Sequence, residues 1–285
     1  SDETTFLHIT DSQGQNEWDY AIFAEALDKA YELYPDTDLV VHSGDMVDYG
    51  SNVNYWRYFF DSTDNMQSAP IMPVAGNHEA KGDFALVDNF LLPDHPEQDE
   101  TLGVYYSFDY NNIHFMMLNT NDTDDNGLSE AQLKWLKRDA KRTTARWKIV
   151  VLHKATYSNG SPFDDKEVVG MREQFASLMP QLGIDMVLQG HDHVYLRTGA
   201  MNGNEIVEIE TTETTYKSTV YETMTDPNGT VYAIPGASGC KNYTAKSNAQ
   251  TDVLFPRAEV IVNCTSPAFA GIRVDGGTLY YDAYT

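Results

Sequence analysis

The sequence predicts an α/β fold with a ligand site at the carboxyl ends of its strands. Three observations carry this expectation. Short apolar runs alternate with helix-period patterns over the first two-thirds of the 285 residues. The last third is mostly β. Metal-capable side chains follow directly on several strand ends. Strands that alternate with helices imply a parallel or mixed sheet covered by helices. The β-rich tail either extends that sheet or adds a second one.

Taken in order, Thr5 to Thr10 reads as a strand. Glu17 to Tyr34 reads as an amphipathic helix, because Tyr20, Phe23, Ala24, Leu27, Ala30, Tyr31 and Tyr34 recur at three- and four-residue spacing. Pro35 stops it. Leu39 to Ser43 is a strand, Asn54 to Met66 a helix and Pro70 to Ala75 a strand. Tyr105 to Tyr110 and Ile113 to Asn119 form a hairpin turned at Asn111-Asn112. Ser129 starts a helix, paired with Gln132 in a capping box, and Leu133, Leu136 and Ala140 line one face. Trp147 to Leu152 is a strand. Lys166 to Leu182 is a helix with Met171, Phe175, Leu178 and Leu182 facing inward, and Ile184 to Gln189 is a strand. From Ile206 onward the pattern is β, with Asn-Gly turn signals at Asn202-Gly203 and Asn228-Gly229. Lys241 to Phe255 is polar and reads as a long surface loop. No repeat, low-complexity tract or linker divides the chain, so residues 1–285 read as a single domain.

Composition narrows the function. Hydrophobic residues make up 41% and charged residues 22%, which permits a sizeable core. No apolar run approaches the ~20 residues needed to cross a membrane. The net charge of -24 disfavours a long nucleic acid and an anionic membrane surface, because phosphate contacts need Lys and Arg. The start, Ser1-Asp2-Glu3, has neither a basic nor an apolar leader region, so the protein is cytoplasmic or has a signal that is absent from this chain. Cys240 and Cys264 fit no C-x-x-C zinc spacing and are either one disulfide or two thiols.

The chemistry sits where strands end. The chain gives FLHIT then Asp11, VVHS then Gly44-Asp45, IMPVA then Gly76-Asn77-His78-Glu79, KIVVL then His153, and DMVLQ then Gly190-His191-Asp192-His193. In open α/β sheets the ligand lies beyond the carboxyl ends of the strands, so these groups are expected on one rim. Gly44, Gly76 and Gly190 each precede a candidate ligand. A sharp turn off a strand needs positive φ or close backbone approach, and glycine permits both. His191 and His193 share one side if the strand stays extended past Gly190. Carboxylates, an amide oxygen and imidazoles together favour Zn, Fe or Mn over Ca or Mg. Two such ions about 3.5–4 Å apart clamp the attacking and leaving oxygens of an in-line displacement.

These residues resemble the calcineurin-like metallophosphoesterases, and within them the purple acid phosphatases. The matching pieces are Asp11, Gly44-Asp45-x-x-Asp48, Gly76-Asn77-His78-Glu79, His153 and Gly190-His191-Asp192-His193-x-Tyr195, with Tyr106 to Tyr110 leading into Ile113-His114-Phe115. The likeness runs from about Phe6 to Arg197 and more faintly through Ala270 to Tyr284. It implies a four-layer αββα sandwich of two mixed β-sheets flanked by helices, classed as α/β or, in some schemes, α+β. It also implies a dinuclear-metal phosphoester hydrolase acting on a small phosphorylated substrate, by direct attack of a metal-bound hydroxide. Asp45 would bridge the two ions. Asp11 and His193 would complete one, and Asn77, His153 and His191 the other. His78 would protonate the leaving alcohol or steady the phosphate, while Asp48 and Glu79 would orient the site by hydrogen bonds. A phosphomonoesterase is expected. The alternatives are a phosphodiesterase or nucleotide hydrolase of the same superfamily and, from another class, a non-catalytic metal-binding scaffold. Family habit and the 19 Lys and Arg residues point to an exported or cell-envelope protein of a bacterium.

Two positions depart from the family. Many members carry His where this chain has Gln13, which is therefore a ligand candidate or a hydrogen-bonder beside the site. Purple acid phosphatases place Tyr where this chain has Asp48, with Tyr49 displaced by one. The first metal site thus lacks both customary extra ligands, and no tyrosinate-iron colour is expected. Other residues read as structural. His8, His42 and His114 lie within strand patterns. Tyr55, Trp56, Phe59 and Phe60 have core spacing, and Lys154 faces away from the site. His95 reads as solvated in a polar loop. Asp122, Asp124 and Asp125 read as a solvated turn, and Tyr195 and Arg197 either shape the cleft or pack beside it.

Overall fold

A computed structural model describes residues 3–63, 69–82, 86–93, 98, 104–246 and 258–285. The chain opens with β1 (Glu3–Ile9), α1 (Glu17–Leu33), β2 (Leu39–His42), α2 (Val53–Ser62), β3 (Ile71–Pro73) and the single turn α3 (Leu86–Asn89). Asn16 caps α1 by accepting from the Trp18 and Asp19 amides, and Tyr20, Phe23, Leu27 and Ala30 form its buried face. Asn52 caps α2 in the same way. That helix ends at Ser62, short of the expected Met66, which lies outside the described residues, as does His95.

The hairpin β4 (Tyr106–Tyr110) and β5 (Ile113–Met117) turns at Asn111, whose φ of 50° suits a tight hairpin turn. A two-residue ribbon, β6 (Thr123–Asp124) with β7 (Gly127–Leu128), precedes α4 (Glu130–Arg142). Ser129 caps α4 by accepting from the Gln132 amide. The reciprocal half of the expected capping box is missing. The Gln132 side chain is buried and instead clasps the Asn119 backbone, accepting from its N–H at 2.8 Å and donating to its carbonyl at 3.0 Å. Next come β8 (Trp147–Lys154), α5 (Lys166–Leu182), β9 (Met186–Gly190) and β10 (Tyr195–Thr198). Gly183, at φ 67°, closes α5 in the left-handed conformation that glycine tolerates.

The remainder is β, as expected. Two ribbons follow, β11 (Met201–Asn202) with β12 (Glu205–Ile206) and β13 (Thr211–Tyr216) with β14 (Thr219–Met224), then β15 (Val231–Pro235), β16 (Ala258–Val262), β17 (Phe269–Asp275) and β18 (Thr278–Tyr284). The tail does both of the things its pattern allowed. β17 and β18 complete a five-stranded sheet ordered β18-β17-β1-β2-β3, while β10, β15 and β16 extend a seven-stranded sheet ordered β16-β10-β15-β9-β8-β5-β4. Both sheets are mixed: β1-β2-β3 and β5-β8-β9-β15 run parallel, and the outer strands antiparallel.

Strand alternation sorts the apolar residues into three layers. Phe6, Leu39, Val41, Phe115, Met117, Ile149, Val151, Leu188, Ile272 and Val274 pack between the sheets. Leu7, Ile9 and Val40 turn outward onto Phe23, Leu27, Trp56 and Phe59 of α1 and α2. Met116, Val150, Leu152 and Val187 turn outward onto α4 and α5. The result is the αββα sandwich. Each such fully buried Leu or Phe stabilises the fold by ~1.5–3 kcal/mol. The parallel strands of both sheets place their carboxyl ends at one rim. Among the described residues no helix is long and apolar enough to cross a membrane.

Candidate metal centre

Local backbone geometry sets this rim apart before any ligand is considered. Among the described residues, eight other than glycine have positive φ, and four of them are Asp11 (52°), Asp45 (56°), His191 (74°) and His193 (46°). Such conformations cost about 1–3 kcal/mol each and persist where the surroundings enforce them. The histidine pair therefore does not continue the strand in extended form. The chain turns sharply at each histidine, and the two rings go to neighbouring positions rather than to one face.

The three glycines make those turns possible in two ways. Gly44 has φ of 97°. Gly76 and Gly190 have ordinary φ but no room for a side chain: a Cβ on Gly76 would lie 2.1 Å from Asp45 Oδ1, and one on Gly190 would lie 2.1 Å from Thr10 Oγ1.

Hydrogen bonds fix which atoms face inward. His153 donates from Nδ1 to the Ser43 carbonyl at 2.8 Å, so in the neutral ring Nε2 carries a lone pair. That nitrogen lies 3.2 Å from Asp45 Oδ2, 3.1 Å from Asn77 Oδ1 and 3.1 Å from His191 Nδ1. Ligand atoms of Asp45, His153 and His191 all fall within 4.8 Å of one another. Beside this group, His193 donates from Nδ1 to the Lys241 carbonyl at 2.7 Å, turning Nε2 toward Asp11 Oδ1 at 3.2 Å. Asp11 Oδ2 already accepts from Thr10 Oγ1 and the His191 amide, both at 2.8 Å, whereas Oδ1 receives no hydrogen bond. Gln13 satisfies its amide when the nitrogen donates to the carbonyls of Asp11 (3.2 Å) and Asp45 (3.1 Å), leaving its oxygen toward Asp45 Oδ2. Electron-pair donors thus converge with too few protons among them. That is what a cation site requires, and the residues fit the metal ions expected from the sequence.

The electrostatics agree with a site built for positive charge. Burial alone would lower the pKa of His153, but the Asp45 carboxylate overrides it and holds the value up at about 9. The His193 pKa is raised by Asp11 in the same way, again against burial. His191, buried and beside His153, is pushed down to about 4. Burial works against ionisation of Asp45, yet the neighbouring histidines keep its pKa below the usual carboxylate range.

A second ring of residues holds these groups in place. The buried Glu79 carboxylate accepts from the amides of Asp45 (2.9 Å), Met46 (2.8 Å), Val47 (3.1 Å) and Gly76 (2.8 Å). It thereby ties the loop after β2 to the loop after β3. Burial and the Asp45 charge push its pKa up to about 7, and the Val47 and Gly76 amides oppose them. Asp45 Oδ1 accepts from the His78 amide at 2.9 Å. The His78 ring donates from Nδ1 to the Asp48 carbonyl at 2.8 Å, and Nε2 sits 3.9 Å from Asp45 Oδ2. His42 accepts from the Gly44 amide and donates to Ser12 Oγ, and His8 bonds Ser43 Oγ at 2.9 Å. Burial lowers the pKa of both to about 3, so both stay neutral. They are strand histidines, but their partners lie in the loops of the rim.

The remaining candidates lie apart from the centre. His114 bridges Asp109 and Asp139 at the far hairpin. Lys154 pairs with Glu167, and Arg197 pairs with Glu259. Tyr195 packs with Cys264 and Ala268. Tyr55, Trp56, Phe59 and Phe60 lie in or against the core. Asp122 accepts from Ser129 Oγ at the start of α4, while Asp124 and Asp125 occupy the small ribbon. Tyr49 is exposed, with its ring beside Gly82. Cys240 and Cys264 are free thiols. Sequence reasoning missed Lys241 and Tyr243. The first bonds His193 and Asp48, and the second stacks on the His193 ring at 4.2 Å. Both fall in the polar stretch that reads as a surface loop, and no local pattern marks them.

Residues 4–195 match the family model described as calcineurin-like phosphoesterase. Purple acid phosphatase 22 of Arabidopsis thaliana is 28% identical over 210 residues, covering 69% of this chain and 46% of that protein. The chain therefore spans under half the length of that curated relative. The purple acid phosphatase PPD1 from yellow lupin (Lupinus luteus) seeds superposes with a TM-score of 0.72 at 16% identity, over 98% of this chain and 51% of its own. GAP50, described as the anchor in the inner membrane complex of Plasmodium, superposes at 0.66 with 12% identity, over 99% of this chain and 84% of its own. At those identities the two structures share the fold.

Proposed function

The chain belongs to the calcineurin-like phosphoesterases, a metal-dependent family, and from that premise we propose that residues 1–285 form one catalytic unit that hydrolyses phosphomonoesters with two metal ions. The observation that carries the reading is the convergence of lone pairs. His153 Nε2, Asp45 Oδ2, Asn77 Oδ1 and His191 Nδ1 crowd together, and Asp11 Oδ1 meets His193 Nε2 beside them. In this reading Asn77, His153 and His191 hold one ion, Asp11 and His193 hold the other, and Asp45 lies between them. Gln13 offers its amide oxygen to the Asp11 side. The nitrogen and oxygen donors suit Zn, Fe or Mn. When bound, such a pair supplies a nucleophile from water near neutral pH and polarises the phosphoryl oxygens.

The chain's own residues do the rest. Glu79 fixes the angle at which Asp45 enters the site. His78, held by the Asp48 carbonyl, keeps Nε2 turned toward the reacting side. There, as the imidazolium with both ring nitrogens protonated, it would donate to the phosphate or to the departing alkoxide. A phosphodiesterase is the second reading, since the same centre serves both ester classes. A scaffold without chemistry is the third, supported by the shared fold of a protein described as an anchor.

Turnover of p-nitrophenyl phosphate and of its bis-ester by metal-replete protein separates these readings. The monoesterase reading expects the first substrate to be consumed and the bis-ester to be left. Preference for the bis-ester overturns it in favour of a diesterase. Failure on both, together with unchanged metal content in Asp45→Asn, favours the scaffold.

A further inference from the structure

The chain carries 43 acidic residues against 19 Lys and Arg, yet two ammonium groups gather beside His78. Lys81 Nζ lies 3.0 and 3.1 Å from the two ring nitrogens. Lys241 Nζ pairs with Asp48 Oδ1, which is itself 3.3 Å from His78 Nδ1. Lys241 also touches the other side of the centre, because its carbonyl accepts from His193 at 2.7 Å. One residue thus bonds His193 through its carbonyl and, through Asp48, reaches the neighbourhood of His78.

The segment that carries Lys241 is fastened rather than loose. Ser238 donates its N–H to the Thr10 carbonyl at 2.8 Å and its Oγ to the Ala268 carbonyl at 2.7 Å. Gly239 donates to the Asp11 carbonyl at 3.1 Å, and a Cβ there would lie 2.9 Å from the backbone of Asp11 and Ser12. Tyr243 stacks on the His193 ring with an interplanar angle of 13°. Asp48 fixes the ammonium head, with Gln15 Nε2 bonded to its second oxygen at 2.6 Å. The lysine side chain remains 29% exposed.

We propose that Lys241 is the specificity residue that reads the dianionic phosphoryl group of a phosphomonoester, with Asp48 as its positioning residue. An ammonium has three N–H donors. Asp48 takes one, and the others remain for phosphoryl oxygens. A monoester presents three non-bridging oxygens sharing two negative charges. A diester presents two oxygens sharing one charge, and its second alkyl group fills the third position. A cation held beside His78, next to residues that would hold the metal ions, therefore favours the monoester. The position where purple acid phosphatases place Tyr here holds an acid that recruits a lysine instead.

This inference rests on the hydrolase reading, and phosphate binding separates the two. Metal-replete wild type, Lys241→Met and Lys241→Arg are compared in metal content, in calorimetric binding of inorganic phosphate, and in kcat/KM for p-nitrophenyl phosphate and its bis-ester. Lys241→Met is expected to keep its metal and weaken phosphate binding about 10–100-fold, the range of one charge-assisted hydrogen bond. The monoester-to-diester ratio of kcat/KM should fall by a similar factor, and Lys241→Arg should recover part of both. Unchanged phosphate binding in metal-replete Lys241→Met, or an unchanged ratio in an active enzyme, overturns the assignment. If wild type cleaves no ester but binds phosphate through Lys241, the hydrolase reading fails while the clamp stands.

Discussion

His114 is a residue whose role its position in the strand gives and whose partners it does not. It lies within a strand pattern, and its structural role was expected from that position. Its detail was not, because both partners come from elsewhere: Asp109 across the hairpin at 2.6 Å and Asp139 on α4 at 2.8 Å. Burial alone would lower its pKa, but the bonds to Asp139 and Asp109 raise it above the ordinary 6.5. The folded state therefore holds this proton more tightly than the unfolded chain does. Its contribution to stability is complete below about pH 6.5 and is lost as pH rises through the folded value. Urea denaturation of wild type should show stability falling across that window, and His114→Gln should remove that part of the slope. A variant with the same pH dependence as wild type would show that the bridge is not the source.

At the scale of elements, the central question is how strand ends deliver ligands. Gly76 is the sharpest test, because its missing Cβ is what lets Asp45 sit where it does. A methyl group there would meet Asp45 Oδ1 at 2.1 Å and the Asp45 amide at 2.4 Å. Gly76→Ala is expected to weaken metal binding by about 10–100-fold, as when other supports of a ligand are lost. Gly203→Ala is the control. Unlike Gly76 it has positive φ, and nothing lies within 4 Å of its Cβ position. It should cost about 1–2 kcal/mol of stability through its left-handed backbone and leave the metal untouched. Calorimetric titration with Mn or Zn distinguishes the two outcomes, and full affinity in Gly76→Ala would contradict the geometry.

The same scale shows what the sequence could and could not carry. The spans of α1 and α5 were legible because their apolar residues recur at helical spacing over 17 residues. Asp11, Asp45 and Asn77 are legible because each follows an apolar run within four positions. The end of β8 was placed two residues early, since its pairing with β9 continues to Lys154 opposite Gly190. The ribbons β6-β7 and β11-β12 have two residues per strand, too few for any period to show. The left-handed turns at His191 and His193 come from tertiary packing and leave no local signature. Lys241 escaped notice for a related reason. Its segment is placed by contacts such as Ser238 to Thr10, 228 positions apart, which no window of sequence records.

For the whole molecule, the rim is where two sheets meet. Asp11, Asp45 and Asn77 follow strands of the five-stranded sheet. His153, His191 and His193 lie in or just after strands of the seven-stranded sheet. Hydrogen bonds that cross between them include His153 Nδ1 to the Ser43 carbonyl and the His191 amide to Asp11 Oδ2, each at 2.8 Å. Metal ions held here would cross-link the layers of the sandwich and relieve buried negative charge in a chain of net charge -24. Asp11, Asp45, Glu79 and Asp192 are all buried carboxylates at that junction.

The claim on which the rest depends is that this junction holds two ions. Anomalous diffraction from crystals grown with Mn or Zn measures it directly. The account predicts two peaks about 3.5–4 Å apart, with Asp45 between them. One should be bounded by Asn77, His153 and His191, and the other by Asp11 and His193. A single peak at full occupancy, or peaks away from these residues, would contradict it.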